Sequence, residues 1–175
     1  MQRQDDSADG MEGVEEDGVL LVDASIPGGA LSCELPIHSC RFSPVKHLPG
    51  DPYQVLLATS SSVERTHAAN RAKPPTAEAC IKVWDCLSAS VVRKLTWPEA
   101  AKAVYMYNVQ WSPDGRYITC ATFMPKVCVW NARTGEVALH VDVKADVTVA
   151  SWSCTGEVLA ASMADGTIDL IQWTG

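Results

Sequence analysis

At 175 residues the chain has the length of one domain with enough mass to bury a core, and its hydrophobic fraction of 47% is that of a globular protein. No apolar run approaches the roughly eighteen residues of a membrane helix, and Met1 leads into polar and acidic residues rather than a signal-peptide core, so a cytoplasmic or nuclear protein with no membrane partner is expected. The net charge of −7 is concentrated at one end: residues 1–18 carry seven acids against Arg3, while residues 19–175 carry fourteen acids and thirteen bases, a balance that argues against direct nucleic-acid binding.

The acidic head, residues 1–18, has too few apolar side chains to offset its ordering entropy. It reads as a disordered solvating segment, with contact to a basic partner as the alternative. Val19–Val22 is predicted as a lone strand and Ala30–Leu35 as an outer strand after it; Gly28-Gly29 behind Pro27 reads as a hairpin turn between them. The first inner strand is expected near His38 and runs into Cys40-Arg41-Phe42-Ser43-Pro44. From Phe42 to Trp84 the spacing is 42 positions, where the later units use 19. The excess falls in two insertions, at Lys46–Tyr53 and in a polar loop over Ser60–Ala79 that holds Arg65, His67, Arg71, Lys73 and Pro74-Pro75. Long loops on a rigid scaffold are where specificity is placed. Arg65, Arg71 and Lys73 would grip an acidic peptide or a phosphate, and a solvated loop without a ligand is the plain alternative.

A short apolar strand with an aromatic end follows at Ile81-Lys82-Val83-Trp84-Asp85. Trp97 sits in a long connection, outside the period of the other tryptophans, and reads either as packing or as an anchor for a partner. Glu99–Ala103 has the composition of one helical turn. In the next unit, inner strands are expected from near Tyr105, and Ser112-Pro113-Asp114-Gly115 is a turn with proline and glycine where a bend needs them. A β-branched strand over Arg116–Thr122, the strand Val127–Asn131, the turn Ala132–Gly135 and a half-exposed strand at Glu136–Val141 complete it. The last unit repeats the phrase with Ala150-Ser151-Trp152-Ser153-Cys154-Thr155-Gly156 and Ile168–Gln172. Trp111 to Trp130 and Trp152 to Ile171 are both 19 positions, and Trp111 to Trp152 is 41. Two interleaved phrases at a period near forty specify a side-by-side array of equivalent small sheets.

These phrases, with "WSPDG" and "VWNARTGE" as the best single copy, resemble the WD40 repeat of β-propellers over about residues 19–175. The resemblance implies an all-β fold: a partial WD40-type propeller of about three four-stranded antiparallel blades plus a leading half blade, with repeats ending near Trp84, Trp130 and Ile171. Phe42, Trp111 and Trp152 are then one structural position, expected at the same depth in each blade, and Trp84 and Trp130 another. No Gly-His dipeptide opens any repeat, so the family's histidine, serine, aspartate and tryptophan hydrogen-bond set is not carried over. The blades are expected to be held mainly by apolar packing. Three repeats and a fragment do not close a ring of at least four blades, so completion by further chain, by a partner or by self-association is expected.

Chemistry is sparse. No GxSxG, P-loop or GxGxxG occurs, and the four histidines have no metal or triad spacing. The seven cysteines, at 33, 40, 80, 86, 120, 128 and 154, form no CxxC pair; Cys40, Cys120 and Cys128 fall in predicted strands and read as small apolar side chains. No enzyme, cofactor or metal is expected. Trp130-Asn131-Ala132-Arg133 resembles the Trp-Asp-x-Arg box by which some WD40 proteins dock on the adaptor of cullin-type ubiquitin ligases, which would make Arg133 a docking residue, although Asn131 replaces the aspartate. The stretched first repeat also resembles propellers of eukaryotic translation initiation factors. The leading expectation is a non-catalytic scaffold for protein–protein interactions, with the ubiquitin-ligase and initiation-factor readings as alternatives.

Overall fold

The computed structural model describes residues 31–33, 35–44, 55–62, 80–98 and 105–175. They form three antiparallel sheets in chain order. The first contains β1 (Ile37–Phe42), β2 (Leu56–Ser61), β3 (Cys80–Asp85) and β4 (Ser90–Thr96). The second contains β5 (Asn108–Trp111), β6 (Tyr117–Ala121), β7 (Lys126–Asn131) and β8 (Val137–Asp142). The third contains β9 (Val147–Trp152), β10 (Val158–Met163) and β11 (Ile168–Gln172). Each sheet is a meander whose neighbours in sequence are neighbours in space, the arrangement that short turns between antiparallel strands enforce. β1 packs against β5 and β5 against β9, so the first strands of the three sheets form the inner side of an arc. This is the partial propeller expected from the repeats.

Backbone bonds recur with the sequence period. Ser112 and Ser153 each close the first turn by donating to the carbonyl of the residue five further on, at 2.8 Å in both blades, and Ser43 makes the corresponding bond to Leu56 across the longer loop. Ala132 N–H reaches the Arg116 carbonyl at 2.9 Å and Trp173 N–H reaches Glu157 at 2.7 Å, with Cys86 to Val55 as the first-blade equivalent.

The core lies between the sheets rather than inside any of them. Ala58, Ile81, Val83 and Leu95 of the first blade meet Val109, Trp111, Ile118, Cys120, Cys128 and Trp130 of the second. Tyr117, Ala121, Val127 and Val129 of the second meet Val147, Ala150, Leu159 and Ala161 of the third. Alternation along each strand sends one set of side chains to the preceding blade and the other to the following one. The middle blade is therefore apolar on both faces, which is why β6 reads as buried at every position.

Several expectations need correction. Phe42 shares its strand position with Trp111 and Trp152, yet it is 64% exposed. Its side of the first blade is the one that faces away from the second, and no described sheet lies against it. Cys40, on the same strand, is exposed for the same reason. Residues 31–33 and 35 are not in a strand, against the outer strand expected over Ala30–Leu35. Ser60 and Ser61 belong to β2, so the expected insertion at 60–79 overruns the strand by two residues. The acidic head, Val19–Val22, Gly28-Gly29, Lys46–Tyr53, Glu99–Ala103 and Arg65, Arg71 and Lys73 lie outside the described residues.

Candidate interaction surfaces

Three surfaces follow from this geometry: the free sheet face at the end of the arc, the strand-entry rim, and the opposite, turn-bearing rim. At the end of the arc, Ile168 and Leu170 of β11 are 62% and 72% exposed. Their register equivalents are Ile81 and Val83 in β3 and Val127 and Val129 in β7, none more than 1% exposed. Val149 of β9 joins them on the same exposed face. The third sheet, as described, has three strands where the others have four. A depression at its edge is lined by Glu157, Val158, Leu170, Gln172, Trp173 and Thr174.

At the strand-entry rim, four half-buried aromatic rings stand in a chain. His38, at the start of β1, lies 4.7 Å from Tyr107 between ring centroids. Tyr107 meets Phe123 edge-on at 4.9 Å and stacks with Tyr105 at 6.2 Å. The loops carrying these rings are tied together across blades. His38 Nε2 donates to the Ser62 carbonyl at 3.0 Å, which fixes the proton on that nitrogen. The Ser60 hydroxyl donates to the Tyr107 carbonyl at 3.3 Å, and Phe123 N–H donates to the Val147 carbonyl at 3.0 Å. Phe123 has φ of +50°, a left-handed conformation that bulky residues avoid. Further along the rim, Ala164 N–H donates to the Asp146 carbonyl at 2.9 Å, which sets Asp146 beside the Asp165 turn. The Asp165 carboxyl is held below the usual range by the Thr167 hydroxyl and amide, and Asp142 by its contact with Lys126.

At the turn-bearing rim, Arg133 is exposed, and its carbonyl accepts a 2.6 Å bond from Arg93 Nε. Asn131 Oδ1 accepts from the backbone N–H of Arg133 and Thr134, as the Asp85 carboxylate accepts from Leu87 and Ser88. Trp97, read above as either packing or an anchor for a partner, is 7% exposed. Its ring packs against Trp130 and His140 at 6.1 and 5.3 Å, on the inward side of the connection. It belongs to the core between the first two blades.

Sequence reasoning missed the interblade hydrogen bonds of the tryptophans. Trp111 Nε1 donates to the Arg41 carbonyl at 2.9 Å and Trp130 Nε1 to the Thr96 carbonyl at 3.0 Å, while Trp84 Nε1 reaches Thr59 Oγ1 inside its own blade. It also missed the aromatic rim, whose members are far apart in sequence and meet only through sheet register. Among the described residues no three His, Cys, Asp or Glu side chains are grouped to hold a metal ion, and no helix is long and apolar enough to cross a membrane.

No family model matches the sequence. Protein tipD of Dictyostelium discoideum is similar, 28% identical over 149 residues that cover 78% of this chain and 23% of that protein. The crystal structure of the Myceliophteria_thermophila Cps50 (Swd1) beta-propeller domain superposes with a TM-score of 0.55 at 22% identity, covering 79% of this chain and 35% of that one. The chain thus spans about a quarter of the length of the one and about a third of the other. The repeat phase, the three meander sheets packed face to face and this likeness identify the fold as a partial β-propeller of the WD40-repeat type.

Proposed function

We propose that the chain is a non-catalytic scaffold segment whose arc is extended by a further propeller blade within a multiprotein assembly. One observation carries this reading: Ile168 and Leu170 are open to solvent at the register positions that are sealed by the next blade in both preceding repeats. Leaving two large aliphatic side chains in water forgoes roughly 1.5–3 kcal/mol each, and a flat apolar strand edge invites pairing. The arc already contains two interfaces of one design, so the chemistry that covers the third face is a sheet presenting aromatic and small apolar side chains. Light scattering on the full chain over a concentration series, with Leu170→Asp as the variant, tests it. Association that the variant weakens by about tenfold, with an unchanged melting temperature, is expected. A chain that stays monomeric throughout and retains no protein partner in pull-down contradicts the proposal.

A second reading, docking through Arg133 on a cullin-ligase adaptor, is favoured by the Asn131 turn. The amide oxygen holds the same turn that the carboxylate of Asp85 holds, so the asparagine leaves the geometry intact and Arg133 exposed. Arg133→Glu should abolish adaptor binding without lowering the melting temperature. Undiminished binding removes this reading.

A further inference from the structure

The open face of the third sheet has a counterpart at the other end of the arc. In every blade the inner strand ends on an aromatic residue paired in register with a branched aliphatic one: Phe42 with Leu57, Trp111 with Ile118 and Trp152 with Leu159. Two residues earlier a pair of compact side chains repeats in the same way: Cys40 with Thr59, Val109 with Cys120 and Ala150 with Ala161. In the second and third blades these four residues pack against the preceding blade. In the first blade alternation turns the same set away from the second sheet, and Phe42 and Cys40 are exposed. The forward-facing pairs repeat as well. Ile81 with Val83 and Val127 with Val129 are buried by the following blade, while Ile168 and Leu170 are open.

Each seam of the arc therefore sets one backward-facing set against one forward-facing pair, and one of each is left over. The existing seams show what a fit requires. Trp111 Nε1 donates across the first seam to the Arg41 carbonyl at 2.9 Å, but Trp152 Nε1 is buried in the second without a hydrogen-bond partner among the described residues. A seam of this design forms without the indole bond, so phenylalanine, which has no N–H to place, meets the requirement. We infer that the partner covering the β11 face is a second copy of this chain, whose Phe42 face seats on Ile168 and Leu170 of the first and whose own Ile168 and Leu170 receive the Phe42 face of the first. This rests on the scaffold reading above, in which a further blade covers that face. Two arcs of three sheets joined at both ends give six sheets, within the four to eight blades of known propellers. The two seams are related by a two-fold axis and leave neither apolar face in water.

Sedimentation velocity on the full chain, with Phe42→Lys and Leu170→Glu as separate variants, tests this. The parent should sediment as a pair of copies whose mass stops growing with concentration. Each variant alone should pair at least about tenfold more weakly, because both of its seams then hold a charge against an apolar face. Both side chains are exposed, so each variant should keep the circular dichroism of the parent. An equimolar mixture of the two should pair about tenfold more tightly than either alone, since one seam is then parental and the other sets lysine against glutamate. Phe42→Lys pairing as the parent does, a mixture that pairs no better than its components, or growth beyond two copies would each overturn the inference. A monomeric parent that captures another protein through Leu170, shown by loss of capture in Leu170→Glu, overturns the second-copy inference and leaves the scaffold reading standing. A monomeric parent without such capture ends both.

Discussion

The indole nitrogens of Trp84, Trp111 and Trp130 act as point fasteners, whereas those of Trp97 and Trp152 are buried without a hydrogen-bond partner among the described residues. Trp84 shows this within one blade, where its Nε1 donates to Thr59 Oγ1 at 2.9 Å in a buried setting. Thr59→Val keeps the shape and removes the acceptor, leaving a buried N–H unpaired, and should destabilise the fold by about 1–3 kcal/mol in chemical denaturation. A loss below the error of that measurement would mean that the indole finds another acceptor. A second residue-scale test lies in paired turns. Gly135 has φ of +80°, and the residue at the same turn position in the first blade is Ala89, at +51°. Ala89→Gly should raise stability by about 0.5 kcal/mol and Gly135→Ala should lower it by about 1 kcal/mol, because left-handed backbone penalises a Cβ. A Cβ at Gly135 would meet Leu95 at 3.6 Å, an ordinary contact, so backbone strain decides the sign. The thiols supply a pH dependence. Burial pushes Cys120 up to about 12 and raises Cys128 further still. Above the ordinary thiol value of 9.0 the unfolded chain releases protons that the folded chain keeps, so stability should fall as pH rises from there toward 12, read as a declining melting temperature.

At the scale of the element, the Ser-Pro-Asp-Gly turn is a self-contained device. The Ser112 hydroxyl donates to Asp114 and accepts the Tyr117 N–H at 2.9 Å, while Asp114 accepts the Arg116 N–H at 3.0 Å. Ser153 repeats the second of these bonds with Val158 at 3.1 Å. Ser112→Ala should therefore cost about 1–2 kcal/mol by differential scanning calorimetry, and an unchanged transition would remove the turn from the list of stabilising elements. Such turns and the strands they join were legible because their determinants are local: period-two alternation, Pro and Gly at fixed offsets, aromatic ends in constant phase. The three inner strands begin at Ile37, Asn108 and Val147, close to the starts expected at His38, Tyr105 and Val147. What escaped was anything decided by a neighbour in space. Phe42 and Trp111 are equivalent in sequence, and only the presence of a sheet on one side separates an exposed ring from a buried one. Trp97 lies outside the period, yet it turns inward because Trp130 and His140 offer it an edge-to-face bed. The rim that joins His38, Tyr107 and Phe123 spans residues more than eighty positions apart, so no local signal announces it.

The molecule as a whole is an arc in which each sheet is stabilised by what lies against its faces. The middle blade has a neighbour on both sides, and it holds Trp130, the largest fully enclosed side chain among the described residues. The outer two blades are each covered on one side by described residues, and the third carries exposed aliphatic side chains on the other. Stability should accordingly be graded: amide hydrogen exchange should be slowest in β6 and β7 and fastest in β11. The same logic gives the most direct test of the account. Val83, Val129 and Leu170 occupy one register position in three consecutive blades. Each is changed singly to cysteine in the full chain, and alkylation by iodoacetamide in dilute solution is followed peptide by peptide by mass spectrometry. If the sheets are equivalent blades of one arc, Leu170→Cys reacts at the rate of an exposed thiol while Val83→Cys and Val129→Cys stay protected until the chain unfolds. Equal reactivity at the three positions would contradict it.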